Sequence, residues 1–145
     1  MINIKQELEV AKKASEIAAA LLVDNKDNIN KILSNEERDV KLKADLESEK
    51  VIKDYLLSHS SFPILAEESG ANQDLGNSFW VVDPLDGTSN YSRDFPMCCI
   101  SIALIYEKEI TLGVINDFNR GSLYEGSSVS KAKMNGEDIF VSSIH

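Results

Sequence analysis

Cysteine is confined to one adjacent pair, Cys98 and Cys99, and that scarcity removes two chemistries at once. Neighbours on a strand point to opposite faces, so a bridge between them would demand an unusual, strained turn. The same geometry makes them poor chelators, and free, buried thiols in a reduced compartment are expected. Histidine is equally sparse. His59 and His145 are isolated, which leaves no zinc site, and no His-Asp-Ser set supports a serine hydrolase. Positive charge is in short supply too: 15 Lys and Arg face 24 Asp and Glu, for a formal net charge of -9. A nucleic acid or an anionic membrane needs a basic surface, so neither is an expected partner. No apolar run approaches a membrane span, and Met1 to Lys13 lacks the apolar stretch of a secretory signal. The expectation is a soluble, cytoplasmic chain. Repeats, low-complexity tracts and inter-domain linkers are missing as well, and 145 residues suffice for one domain with one core.

What is present divides into helical and extended texture. Ile4, Leu8, Ala11, Ala14, Ile17, Ala18, Leu21 and Leu22 recur at three- and four-residue steps, which predicts an amphipathic helix over residues 3 to 23. The polar stretch Asp24 to Asn30 reads as a stop and a loop, with Ile29, Ile32 and Leu33 as a brief extended piece. A second helix is predicted from about Asp45 to Ser58, with Leu46, Val51, Ile52, Tyr55 and Leu56 inward and Asp45 at the N-cap. From Phe62 the pattern changes to strands: Phe62 to Ala66, Phe79 to Asp83, a hairpin of Met97 to Tyr106 and Glu109 to Asp117, then Leu123-Tyr124 and Ile139 to Val141. Turns are expected at Glu107-Lys108, Asn119-Arg120-Gly121 and Asn135-Gly136. Helices first and strands afterwards predict an α+β fold, two N-terminal helices packed on a largely antiparallel sheet.

Two of these strands end in acids: Glu67-Glu68 after the first, Asp83 and Asp86 after the second. If the strands lie side by side, three or four carboxylates converge on one edge of the sheet. Adjacent carboxylates repel, and a hard divalent cation with oxygen ligands is their natural partner. Pro84 fixes the backbone so that the Leu85 carbonyl can face the same centre. Gly87-Thr88-Ser89-Asn90 can open a short helix whose N–H groups would cradle a phosphate oxyanion, while the Thr88 hydroxyl orients a water. Together these parts describe phosphoester hydrolysis by in-line attack of water, with no covalent enzyme intermediate. The plain alternative is an acidic turn, because Asp, Pro and Gly are also the favoured turn formers. A Ca²⁺ module of the EF-hand kind does not fit, since the acids do not alternate within a twelve-residue loop ending in Glu.

Glu67-Glu68-Ser69, the run Trp80 to Thr88, Asn90-Tyr91 and Phe95-Pro96 follow one another in an order and spacing that resemble the inositol monophosphatase family of Mg²⁺-dependent, lithium-sensitive phosphatases. The resemblance extends from the first helix through Asp39 to Asp45 and on to Asn135-Gly136, nearly the whole chain. It implies that Glu67, Asp83, Asp86 and the Leu85 carbonyl bind Mg²⁺. It implies that Gly87 and Thr88 receive the phosphate, that Thr88 and Glu67 position the attacking water, and that Asp45 supports the Thr88 hydroxyl. Glu68 is implied to be a helper beside the site, or else an exposed acid. The stretch from Asp86 to Pro96 is similar to the sugar-monophosphatase branch, which favours inositol monophosphate or a related sugar or cyclitol phosphate as substrate. A homodimer is implied by the resemblance as well.

One departure accompanies the match. Family members run to roughly twice this length and add an α/β domain, as two-domain chains of that size do. That half carries a Trp-Asp-x-Ala-Ala-Gly motif whose Asp completes the metal site, and no such motif occurs here. Residues 1–145 are therefore expected to be the N-terminal metal-binding domain alone: a truncated product, a gene fragment, or a chain that works with a separate partner. The competing expectation is a non-catalytic metal-binding or interaction domain, or an inert fragment.

Overall fold

The first apolar stripe forms a helix, and Asn3 starts it: its side-chain Oδ1 accepts the Gln6 N–H at 3.2 Å, satisfying one of the amides that a helix start leaves unpaired. The computed structural model describes residues 1–29 and 37–143, with side chains described for 1–26 and 43–143. Helix α1 spans Ile4–Ile29 and α2 spans Glu37–His59. Leu8, Ala11, Ala14, Ala18 and Leu22 are buried, as the stripe predicts, with Ile4, Ile17 and Leu21 half-buried. Three alanines on the buried face let α1 lie close against the sheet. The expected loop at Asp24 is not there. Helix α1 runs on to Ile29, because Asn25 donates to Glu47 Oε2 at 2.9 Å and Lys26 pairs with Asp94 at 3.0 Å. Tertiary partners override weak local propensity. Ile29 is helical rather than extended, and Ile32 and Leu33 lie outside the described residues.

Helix α2 corrects two further expectations. It begins eight residues before Asp45, so Asp45 lies inside the helix and is not its N-cap. Leu46 faces solvent, 48 % exposed, while Asp45, Ser48 and Glu49 take the buried positions together with Ile52 and Leu56. An apolar-in rule fails on this turn because its buried face meets backbone polar groups instead of side-chain hydrocarbon.

The strands are β1 Ile64–Ala66, β2 Gly70–Ala71, β3 Phe79–Asp86, β4 Cys99–Tyr106, β5 Glu109–Asp117, β6 Ser122–Ser127, β7 Ser130–Met134 and β8 Glu137–Asp138. They form one sheet in the order β2-β1-β3-β4-β5-β6-β7-β8. Every pairing is antiparallel except β1 with β3, which is parallel. The α+β architecture, two helices on a largely antiparallel sheet, is as expected. The β4–β5 hairpin closes through Glu107 and Lys108, both at positive φ (52° and 71°), which matches the right-handed twist of the flanking strands. Ile139 to Val141 is not a strand: the last ladder ends at Asp138, and Phe140 and Val141 are 77 % and 96 % exposed.

Both helices cover the same sheet face, α2 over β3 and α1 over β4, β5 and β6. Alternation along β4 sends Ile100, Ile102 and Leu104 into this layer, where they join Trp80, Val82, Leu112 and Val114. Both thiols are free, as expected, with Cys98 buried and Cys99 half-buried. Among the described residues no helix is long and apolar enough to cross a membrane.

Candidate active site

Parallel pairing of β1 with β3 brings the first acids together. Ala66 pairs with Val82, and the Glu67 N–H continues the ladder to the Val82 carbonyl at 3.0 Å, so Glu67 leaves β1 beside Asp83. The Glu67 side chain meets the Asp83 carboxyl there, close enough to interact with it directly. Burial comes first in pushing the Asp83 carboxyl up to about 6, and the Glu67 hydrogen bond and the Glu67 and Asp86 charges add to it.

Between Asp83 and Asp86 the register of β3 against β4 shifts: Asp83 faces Ser101, yet Asp86, three residues on, faces Cys99, two residues back. One extra residue on β3 is a bulge, a device that re-aims side chains. Pro84 sits in it, where a missing N–H does not break a ladder. The Asp83 side chain holds the bend by accepting the Leu85 N–H at 3.2 Å. Pro84 and Leu85 are buried beneath it and Asp86 is exposed. Asp86 lines a cavity of about 290 Å³ with Cys99, Asp117 and Arg120. Burial, then the charges of Asp86 and Asp83, push the Cys99 thiol up to about 11, so it is not a thiolate ligand near neutrality.

Gly87 turns the chain at φ 85°, ψ 38°, in the left-handed region, and a short helix α3 follows at Thr88–Ser92. A Cβ at Gly87 would lie 2.7 Å from the Met97 carbonyl oxygen and 3.2 Å from Cys98 Cα. The neighbours from the sequence motif lock this turn. The Tyr91 hydroxyl, buried, donates to the Leu22 carbonyl at 2.6 Å, and Asn90 Nδ2 donates to the Met97 carbonyl at 2.8 Å.

Helix α2 closes the site from below. Thr88 Oγ1 lies 3.1 Å from Asp45 Oδ1 and 3.1 Å from the Leu85 carbonyl oxygen, and its single proton can serve either. Burial pushes the Asp45 carboxyl up to about 6, partly offset by the Thr88 hydrogen bond, with Glu68, Asp83 and Glu49 adding repulsion. Two residues here escaped the sequence reading. Ser48 Oγ donates to the Pro84 carbonyl at 2.7 Å, and Glu49 Oε2 accepts the Glu68 N–H at 2.9 Å. Their signal was available: polar residues at the inward positions of a helix whose other inward positions are apolar.

The structure thus joins Glu67 to Asp83 and Thr88 to Asp45, and sets Asp86 within electrostatic reach of Asp83. It does not gather Glu67, Asp83 and Asp86 into a closed cage; among the described residues no three His, Cys, Asp or Glu side chains do so. The donor chemistry nonetheless fits a hard divalent cation. Every candidate donor is oxygen, and the repulsion between neighbouring carboxylates is what such a cation relieves.

Comparison with known proteins bears on the chain's family and fold. A sequence model of the inositol monophosphatase family matches residues 3–145. The chain is 34% identical over 146 residues to a fructose-1,6-bisphosphatase/inositol-1-monophosphatase of Aquifex aeolicus, covering 97% of this chain and 54% of that protein. It is 35% identical over 106 residues to an inositol-1-monophosphatase of Synechocystis, covering 72% and 37%. Among solved structures, an inositol monophosphatase from Anabaena superposes with a TM-score of 0.84 at 31% identity, over 99% of this chain and 52% of the other. The extragenic suppressor protein suhB of Bartonella henselae gives 0.81 at 28%, over 94% and 54%. The chain spans about half the length of the relatives it matches. Family model, sequence identity and fold concur: this chain belongs to the inositol monophosphatase family.

Proposed function

We propose that this chain carries the Mg²⁺-binding part of a phosphomonoesterase centre whose substrate is inositol monophosphate or a related sugar phosphate. The observation that carries the reading is the meeting of Glu67 and Asp83 at the ends of β1 and β3, with the Thr88 hydroxyl held by Asp45 on the same rim. Glu67, Asp83, Asp86 and the Leu85 carbonyl would hold the cation. When bound, Mg²⁺ supplies charge neutralisation for phosphate and acidifies water.

The remaining roles belong to the chain. Backbone N–H groups at Gly87 and Thr88 receive a phosphate oxygen. When the Thr88 hydroxyl donates to Asp45, its lone pairs are left to accept a proton of the attacking water, and Glu67 orients that water from the other side. Water oxygen bonds to phosphorus in line, the bond to the ester oxygen breaks, and the alcohol leaves with a proton. A phosphorylated small molecule is the substrate, and a homodimer belongs to the same reading.

Because the matches cover about half of each relative, turnover by this chain alone is expected to be low and cation binding is the discriminating measurement. Calorimetric titration with Mg²⁺ and Mn²⁺ is expected to show saturable binding that Asp86→Asn abolishes; its absence overturns the proposal. Phosphate release from inositol 1-phosphate, suppressed by lithium, favours the enzyme. Saturable binding without release favours a second reading, a non-catalytic metal-binding domain, which the half-length match motivates.

A further inference from the structure

Three of the six buried polar or charged side chains among the described residues fall within one turn of α2: Asp45, Ser48 and Glu49. A leucine at such positions would pack against the sheet at no desolvation cost, so their burial calls for a reason. Asp45 has one in Thr88 and Ser48 has one in the Pro84 carbonyl. Glu49, 3 % exposed, is the costliest of the three because its carboxylate leaves water almost completely. Its Oε2 accepts the Glu68 N–H at 2.9 Å, and Lys53 Nζ lies 3.8 Å from its other oxygen. Lys53, one turn further along α2, donates to Ser69 Oγ at 2.7 Å.

We propose that Glu49 and Lys53 are a positioning pair that fixes the Glu67–Ser69 turn, and with it the carboxylate of Glu67, for cation binding. The pair rests on the metal-site reading above. Its geometry is consecutive: the Glu67 N–H goes to Val82, the Glu68 N–H to Glu49, and the Ser69 hydroxyl to Lys53. The β1–β2 pairing of Ala66 with Gly70 closes the two ends of this exposed turn, and the last two bonds fix the residues between them. A buried carboxyl acceptor holds an amide harder than water does, and Lys53 Nζ, 3.8 Å from its other oxygen, helps aim it. Neither side chain needs to touch the cation. Both act through the backbone that presents Glu67, as the outer partners of metal ligands do.

The test compares Mg²⁺ affinity by calorimetry and amide exchange at Glu67–Ser69 in wild type, Glu49→Gln, Glu49→Leu and Lys53→Met, with Leu56→Ala as a core control. Glu49→Leu is expected to weaken Mg²⁺ binding about tenfold, and Glu49→Gln, which keeps an acceptor oxygen, to restore most of it. Lys53→Met, at a side chain 21% exposed, is expected to fold normally and to speed exchange of the Glu68 amide. Leu56→Ala is expected to lower the melting temperature without changing affinity of the folded protein. Should Glu49→Leu fail to fold, Lys53→Met decides alone. Wild-type affinity together with wild-type exchange in Lys53→Met overturns the pair, as does undiminished affinity in a folded Glu49→Leu. A wild-type chain that binds no cation refutes the metal reading instead, and the exchange measurement then still judges the pair.

Discussion

Gly87 is constrained twice over. Its φ of 85° belongs to a region where a side chain costs about 1–2 kcal/mol, and a Cβ would meet the backbone oxygen of Met97 at 2.7 Å. A backbone atom cannot swing aside as a flexible side chain can. Gly87→Ala is therefore expected to destabilise the chain by more than that conformational cost, read by chemical denaturation, and to weaken Mg²⁺ binding by displacing the adjacent Asp86. Asp83 and Asp45 make a second prediction, with its sign set by burial. A carboxyl held near 6, above its ordinary 3.8, favours the folded metal-free chain when protonated; that contribution is full below 3.8 and is lost as pH rises through about 6. Cation binding has the opposite sign, because the proton must leave first. Between roughly pH 4 and 6 the metal-free melting temperature should fall while Mg²⁺ affinity rises. Affinity that stays flat across this window would remove Asp83 from the ligand set. At this scale much was legible: the acids at two strand ends, the Gly-Thr step and the supporting Asp45 all lie at one rim. For Ser48 and Glu49 the sequence shows only polar residues at inward helix positions; which groups they and Lys53 meet depends on the turn and bulge that pack against α2, which a single sequence does not show.

The elements were legible where their own periodicity decides them and illegible where a neighbour does. The boundaries of β5 follow from alternation and flanking turns alone. Helix α1 outruns its apolar stripe because Asn25 and Lys26 find partners on α2 and after α3, and Ile139 to Val141 fails as a strand because, past the Ile139 N–H bond to the Ala132 carbonyl, Phe140 and Val141 stand exposed. Short α3 is the extreme case, since five residues cannot hold a helix unaided. Tyr91 supplies the anchor through its buried hydroxyl bond to the Leu22 carbonyl. Tyr91→Phe is expected to cost about 1 kcal/mol of stability and to raise amide exchange across α3, with the sheet unaffected; unchanged exchange would mean that the turn at Gly87 holds α3 by itself. Elsewhere the joint between elements is imperfect. Glu7 on α1 is pushed up by burial, only partly relieved by the Ser60 hydroxyl, which also accepts from Trp80 Nε1 at 3.0 Å, and Glu7 Oε2 is buried without a hydrogen-bond partner. Glu7→Gln should stabilise the chain near neutral pH by up to about 1 kcal/mol. The gain should vanish as pH falls below 4.5, where the wild-type carboxyl is itself protonated in both states.

At the scale of the whole molecule the candidate centre is a junction. Glu67 comes from the end of β1, Asp83 and Asp86 from β3, Thr88 from α3, and the polar turn of α2 lies beneath them. The antiparallel majority of the sheet could be foreseen from its hairpins, but the single parallel pair could not, since nothing local to either strand specifies that partner. That pair is what sets Glu67 against Asp83. A cation there would tie together elements separated by long stretches of chain, whereas the unfolded chain offers the same carboxylates with no fixed geometry. Ligands that bind only the folded state stabilise it by mass action, about 2.7 kcal/mol at a hundred times the dissociation constant. For a chain of this length that amounts to a rise in melting temperature of roughly 5–10 °C. Saturating Mg²⁺ should produce that rise, a chelator should reverse it, and Asp86→Asn should lose it while keeping the metal-free melting temperature. The rise should also be smaller in Glu49→Leu at equal Mg²⁺, because a loosened Glu67 turn raises the dissociation constant. A melting temperature indifferent to Mg²⁺ in the wild type would mean that the acids meet at this junction with no cation to bind there, and the metal-site reading would fall.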